Sequence, residues 1–418
     1  MSNKKIKFTL SALSALALGL MLSGCSAEKQ STESVASAGA SVESVAVAAT
    51  RLTAAEDIRK SAYDIASRSG KWQIAQLGNL SYIPESHREK SENAKFWIQA
   101  AFYIGLTKWT GVSNNPAFMA YLENMASEEE YGLLTKRPYH ADDHTIGQTY
   151  LWLTEQTGNT AAYGPTQEHF DWILANKPNV GLEMLDRTAS GSGKVHQEGN
   201  CQLRWCWADA LFMAPRTWLQ LSNATGDPKY FEYADKEFWA AADYLFSDEY
   251  GLFFRDSRYF DMKSDNGEPV FWGRGNGWVF AAIPLIIDDL PQDHPSRARY
   301  IELYKKNAAA LLKLQTPEGY WPASLMDPDK VKTPEISGTG FITYGLAWGV
   351  NNGLLNDPES KEIVEKGWHA IKQAIGEDGR VNWVQHVGKS PDPVKKSDSQ
   401  LYGTGAVLLA ASEMAKWQ

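Results

Sequence analysis

Cysteine is almost missing from this chain: Cys25, Cys201 and Cys206 are all that 418 residues contain. That excludes a disulfide-dense scaffold, and no CxxC pair is left to bind metal or run redox chemistry. HExxH is also missing, and the eight histidines stand at no metal-ligand spacing, so neither a metal nor a cofactor is expected. Cys201 and Cys206, five apart in or near what reads as a helix, are poorly placed for a disulfide and read as small buried residues. Clustered positive charge is scarce as well. Lys and Arg number 41 against 50 Asp and Glu, for a net charge of −9, with no basic cluster outside the first residues. Nucleic acid is therefore not an expected partner. No linker, low-complexity run or charge block interrupts residues 53–418, which read as one domain.

What is present begins with a leader. Lys4, Lys5 and Lys7 precede an apolar stretch, Phe8 to Leu22, that is too short and wrongly flanked for a membrane span. It ends in Leu22-Ser23-Gly24-Cys25, which resembles the bacterial lipobox, where the cysteine is lipidated and becomes the first mature residue. An ordinary secretory signal is the alternative. On the lipobox reading, residues 1–25 are removed up to Cys25 and the mature protein is anchored by lipid to a membrane outside the cytoplasm. Ser26 suits sorting to the outer membrane of a Gram-negative cell. Residues 26–52, rich in Ser, Ala, Val and Glu and free of aromatics, read as a flexible tether.

Helical periodicity dominates the rest. The capping box Thr53-Ala54-Ala55-Glu56 opens the first helix of the domain, and Asp227-Pro228 and Asp357-Pro358 open two more. Twelve helices are expected, at about 53–69, 93–110, 115–127, 142–157, 160–176, 203–222, 228–246, 275–289, 296–315, 336–355, 358–373 and 400–417. They alternate in character. Stretches such as LRWCWADALFMA, GNGWVFAAIPLII, SGTGFITYGLAWGV and YGTGAVLLAASEM are apolar all round, whereas PKYFEYADKEFWAAADYLF is amphipathic and charged. Inner helices paired with outer ones predict an all-α fold, an (α/α)6 barrel of six hairpins.

Three stretches carry chemistry. In the stretch from His196 to Leu221, the apolar part after Asn200 contains one carboxylate, Asp209, and a buried carboxylate is held towards its protonated form, as a general acid near neutral pH requires. A backbone-bonded structural Asp is the plainer alternative. Phe271-Trp272-Gly273-Arg274-Gly275-Asn276-Gly277-Trp278 offers two indoles and a guanidinium just ahead of a helix, suited to a sugar and a carboxylate. The same glycines also serve if they only allow close packing. In Tyr139-His140-Ala141-Asp142-Asp143-His144, the acids either cap a helix or face Asp209 across a cavity. Sixteen Trp, 18 Tyr and 15 Phe in an exported acidic protein point to carbohydrate.

WCWADALFMAP, HADDHTIGQTYLWL and FWGRGNGWVFA, in that order, resemble glycoside hydrolase family 105, the unsaturated rhamnogalacturonyl and glucuronyl hydrolases, similar in fold to family 88. The likeness runs from Thr53 to Gln418. It implies a hydrolase acting downstream of a polysaccharide lyase, on the oligosaccharide whose non-reducing uronate carries a C4=C5 double bond. By resemblance Asp209 is the general acid/base that protonates C4 while water adds at C5, and Asp142 or, one residue on, Asp143 is the second carboxylate. Trp272, Arg274 and Trp278 match the substrate-binding residues, and His196 joins the same set. One departure stands out. Where the family has a His after its GLF turn, this chain has Arg255, with Arg258 following. That implies a more anionic glycan, such as a sulfated one, unless these arginines pair with Asp256, Asp261 or Asp265. A polysaccharide lyase on the same toroid and a non-catalytic glycan-binding lipoprotein are the competing functions.

Overall fold

The chain is described from a computed structural model that covers residues 33–185 and 200–418, with side chains from Thr53 onward. The leader, Cys25 and His196 lie outside the described residues. The chain divides into two units, Met1–Arg51 and Leu52–Gln418. The second is an (α/α)6 toroid.

Six helices form its outer ring: α1 (Glu33–Gln76) in its part from Leu52 onward, α3 (Pro116–Glu128), α6 (Gly164–Ala175), α9 (Lys229–Leu245), α11 (Arg297–Leu311) and α13 (Pro358–Ala374). Alternating with them are the inner helices α2 (Trp97–Ser113), α5 (Gly147–Thr157), α8 (Pro215–Thr225), α10 (Gly273–Asp289), α12 (Ile336–Asn351) and α14 (Leu401–Met414). One-turn helices α4 (Ala141–His144) and α7 (Ala210–Met213) lead into α5 and α8. Each inner helix packs on the next, and α14 returns to α2 to close the ring.

Local chemistry sets the boundaries. The Asn115 side chain accepts from the Ala117 amide at 2.9 Å with Pro116 at the first helical position, and Asp357 caps α13 in the same way through Ser360. Gly158 and Gly226, at φ of 70° and 72°, end α5 and α8 in the left-handed conformation that glycine adopts freely. Inner helices α10, α12 and α14 are apolar all round because they are buried almost all round. Their small residues permit close approach: a Cβ on Gly105 would lie 2.2 Å from the Gly405 carbonyl oxygen, so α2 and α14 touch backbone to backbone. The sheet content is slight, with β1 (Phe246–Ser247) and β2 (Leu252–Phe253) forming an antiparallel pair. No helix among the described residues is long and apolar enough to cross a membrane.

Two expectations are corrected. The helix expected over 203–222, within the run from His196, is broken. Cys201–Arg204 form a 3-10 turn, Trp205 is left-handed at φ 57°, and Pro215 starts α8 afresh. Cys201 and Cys206 are joined as a disulfide, with Cα atoms 5.5 Å apart. Residues five apart on a continuous helix are about 8.6 Å apart, beyond disulfide reach, so helix and cross-link exclude each other here. The spacing argued against a disulfide only because it assumed the helix.

Candidate active site

The inner helices present their N-termini to one another. Trp97 at the start of α2 stacks on Tyr402 of α14, with ring centroids 5.4 Å apart, and meets Trp278 of α10 edge to face at 6.2 Å. Phe212 of α7 packs on the same Trp278 at 4.8 Å. The partial positive charge of several helix N-termini thus gathers at one end of the toroid, where it favours an anionic ligand.

Asp209 sits directly before α7 in that end. Its position is fixed by the Ala208 amide, which donates to the Arg255 carbonyl at 2.8 Å, bringing in the irregular segment that follows β2. The carboxylate is 13% exposed, its Oδ2 has no hydrogen-bond partner, and the Arg255 Nε, also unpartnered, lies 3.7 Å away. Burial raises the Asp209 pKa, with Arg255 and Arg274 opposing the shift and the nearby Asp142 adding to it. Two unsatisfied polar atoms facing one another across less than 4 Å are costly in a fold that needs them only for stability, and are what a ligand-binding site leaves open.

The two neighbouring acids on α4 have different surroundings. Asp143 is buried and bound by both Nε and Nη2 of Arg137, the Nε contact being 3.3 Å. Asp142 is 16% exposed, 3.6 Å from Arg137 Nη2 and 3.5 Å from His140 Nδ1. Burial pushes the Asp142 pKa up to about 6, against the pull of Arg137, Arg255 and Lys90. Of the two, Asp142 is the acid whose charge bears on Asp209, while Asp143 holds Arg137.

The cationic residues have specific partners. Arg255 Nη1 donates to Asp256 at 2.6 Å, and Arg258 donates to the same carboxylate through Nε and Nη2, each at 2.8 Å. Burial of Asp256 raises its pKa, but the two arginines outweigh that and hold it low. The trio keeps one net positive charge beside Asp209. Arg274 is 1% exposed. Its Nη1 and Nη2 donate to the carbonyls of Gln385 and His386 at 2.6 and 2.9 Å, and it lies over the rings of Trp272 and Tyr402. Trp272 and Trp278 are buried in the wall, with Trp272 Nε1 donating to Gln385 Oε1 at 2.9 Å. Two of the three residues read as substrate contacts, Trp272 and Arg274, thus also hold residues 385–386 in place.

Several residues here gave no sequence signal strong enough to single them out. Gln385 is a hub: its amide donates to Glu335, its carbonyl accepts from Arg274 and Tyr402, and its side chain bridges Trp272 and Ser390. His386 stacks on His87, centroids 4.4 Å apart, with an unpartnered Nδ1, and burial lowers its pKa. Tyr402 stood in the sequence at the head of an inner helix, the position that also marks Trp97 and Arg274. Among the described residues, no group of three His, Cys, Asp or Glu side chains is arranged to hold a metal ion.

Comparison with known proteins agrees with this geometry. The sequence profile described as Glycosyl Hydrolase Family 88 matches residues 67–418. An unsaturated 3S-rhamnoglycuronyl hydrolase from Alteromonas sp. (strain LOR) is 66% identical over 417 residues, covering 100% of both chains. The solved structure of a glycosyl hydrolase family 88 protein from Bacteroides vulgatus is 27% identical, covers 86% of this chain and 99% of its own, and has a TM-score of 0.70. A solved structure described as a polysaccharide lyase is 28% identical at the same TM-score of 0.70, over 86% of this chain and 97% of its own. With a profile match across the whole toroid and a relative identical at two positions in three, this chain belongs to Glycosyl Hydrolase Family 88.

Proposed function

We propose that this chain removes a C4=C5-unsaturated uronate from the non-reducing end of an oligosaccharide left by a polysaccharide lyase. The linkage is to a rhamnose, as in the name of the 66%-identical relative. The observation that carries the reading is the buried, unpartnered Asp209 Oδ2 facing Arg255 and Asp142 at the N-terminal end of the inner helices.

Burial raises the pKa of both carboxyls, and each charge opposes ionisation of the other; on this reading Asp209 holds the proton and Asp142 is the carboxylate, so that the pair divides into an acid and a base. Asp209 gives its proton to C4. Positive charge develops at C5 and the ring oxygen, water adds at C5, and Asp209 takes back a proton from that water. The product is a hemiketal that opens and releases the sugar. The cation of the Arg255–Asp256–Arg258 trio offsets the charge of the uronate as it enters. Export and attachment through lipidated Cys25 complete the proposal, and a disulfide within the fold suits an oxidising compartment outside the cytoplasm.

The test is an absorbance assay on lyase-digested rhamnose-containing uronate oligosaccharides. Loss of the conjugated double bond, deuterium at C4 when the reaction runs in heavy water, and a fall of ~10²–10⁴-fold in turnover for Asp209→Asn with binding retained are expected. An absorbance increase would assign the chain to lyase chemistry instead. Binding without any change in absorbance would leave a glycan-binding protein.

A further inference from the structure

We infer that the Cys201–Cys206 disulfide is a positioning device for Asp209: it blocks a competing helix and so delivers the carboxyl to Arg255. The inference rests on the proposed role of Asp209 as proton donor. The sequence from Leu203 to Leu221 has the apolar, all-round pattern of one continuous helix, and nothing in it before Pro215 is a helix breaker. In that helix Asp209 would be an interior residue with its amide bonded to the carbonyl four residues back. The fold does something else. Asn200 caps a 3-10 turn, Trp205 takes φ 57°, the Trp207 amide donates to the Trp205 carbonyl at 2.9 Å, and Ala208 turns away to bond Arg255 at 2.8 Å.

A bulky residue does not hold a left-handed conformation unless its surroundings require it. Trp205 has two such constraints. Its indole donates to the Tyr139 carbonyl at 3.1 Å within a wholly buried cluster with Trp218 and His144. The second is the cross-link, whose sulfurs sit on either side of Trp205 and hold Cα atoms 5.5 Å apart that a helix would separate. Of the two, only the cross-link is covalent. Cys201 and Cys206 are both buried, so the bond is shielded from exchange in the native state.

Reduction by a dithiol delivers two electrons and two protons, yields thiols at Cys201 and Cys206 and leaves the reductant as a cyclic disulfide. The turn then competes with the helix, and Asp209 loses its register against Arg255. The carboxyl is displaced while Arg274, Trp272 and Gln385 keep their own network, so kcat is affected more than KM.

Peptide mapping of the full chain without reductant should give a cross-linked Cys201–Cys206 peptide. In Cys201→Ala/Cys206→Ala, kcat should fall ~10-fold or more with KM changed less than ~3-fold, and the alkaline limb of the kcat–pH profile should move because Arg255 no longer faces Asp209. Hydrogen exchange of the amides from Trp207 to Phe212 should change in the same variant. This readout needs no turnover, so it separates failure of this inference from failure of the proposed reaction. Native enzyme treated with dithiothreitol under mild denaturant and assayed after alkylation gives the same comparison if the double variant does not fold. Free thiols at both positions in native protein, or wild-type kcat and exchange without the cross-link, would overturn the inference.

Discussion

Replacing Arg137 by Gln tests whether an acid held by Arg137 works ionised beside Asp209; Asn variants of each acid tell Asp142 from Asp143. Arg137 Nη2 lies 3.6 Å from Asp142 Oδ2 while its guanidinium holds Asp143. Unit charges at that distance attract by about 4–5 kcal/mol at an effective dielectric of ~20 and by about 1 kcal/mol in water. Arg137 is 39% exposed and shared between two acids, so solvent screening brings the value towards the lower limit, about 1–1.5 kcal/mol. That corresponds to about one pK unit. Losing the cation disfavours the ionised carboxylate, so the Asp142 pKa should climb from about 6 to about 7. If Asp142 works ionised, the acid limb of kcat/KM rises with it. At pH 6 the ionised fraction would drop from about one half to about one tenth, a loss of roughly fivefold, while rates near pH 8 should differ little. Because Asp142 and Asp209 interact, the limbs report the pair. The assay is the loss of absorbance of an unsaturated oligosaccharide from about pH 5 to about pH 9. An acid limb unmoved in a folded Arg137→Gln protein would refute the assignment.

Asp142→Asn should lower kcat/KM by ~10²-fold or more, whereas Asp143→Asn should cost stability first, because it unbinds Arg137 but leaves both carboxyls of the site in place. Steady-state kinetics set beside thermal melts of the two variants gives the comparison, and equal kinetic losses with equal melts would contradict it. Arg274→Lys keeps a charge but cannot donate to the Gln385 and His386 carbonyls together. It should cost roughly 1–3 kcal/mol by denaturant titration, with KM raised through a looser 385–386 segment. Unchanged stability there would mean that Arg274 is free to bind substrate directly, as its motif suggests.

What could be read from the sequence follows from the range of the interactions involved. Helix positions and their inner or outer character were legible because burial all round leaves a local mark: a run such as SGTGFITYGLAWGV has no polar face to offer solvent. The ring architecture followed from that alternation. The burial of Asp209 was legible for a related reason, since it is the one carboxylate between Cys201 and Leu221. Local reading failed where a distant partner decides. Asp142 and Asp143 have the same neighbours in sequence, and only the bend that returns Arg137 to Asp143 tells them apart. Arg274 looks free in its glycine-rich setting, yet its hydrogen bonds are to carbonyls 111 and 112 residues away. Arg255 and Arg258 admitted two readings, a ligand or a neighbouring acid, and the fold places Asp256 against both. At Cys201 and Cys206 the failure was of another kind. There the apolar pattern was read as one helix, and the fold instead has a turn closed by a disulfide. A strong local preference contradicted beside a buried carboxyl is where a fold departs from local consistency, and such departures gather at functional sites. Under the proposed reaction, the break in the helix is what sets the Asp209 carboxyl against Arg255.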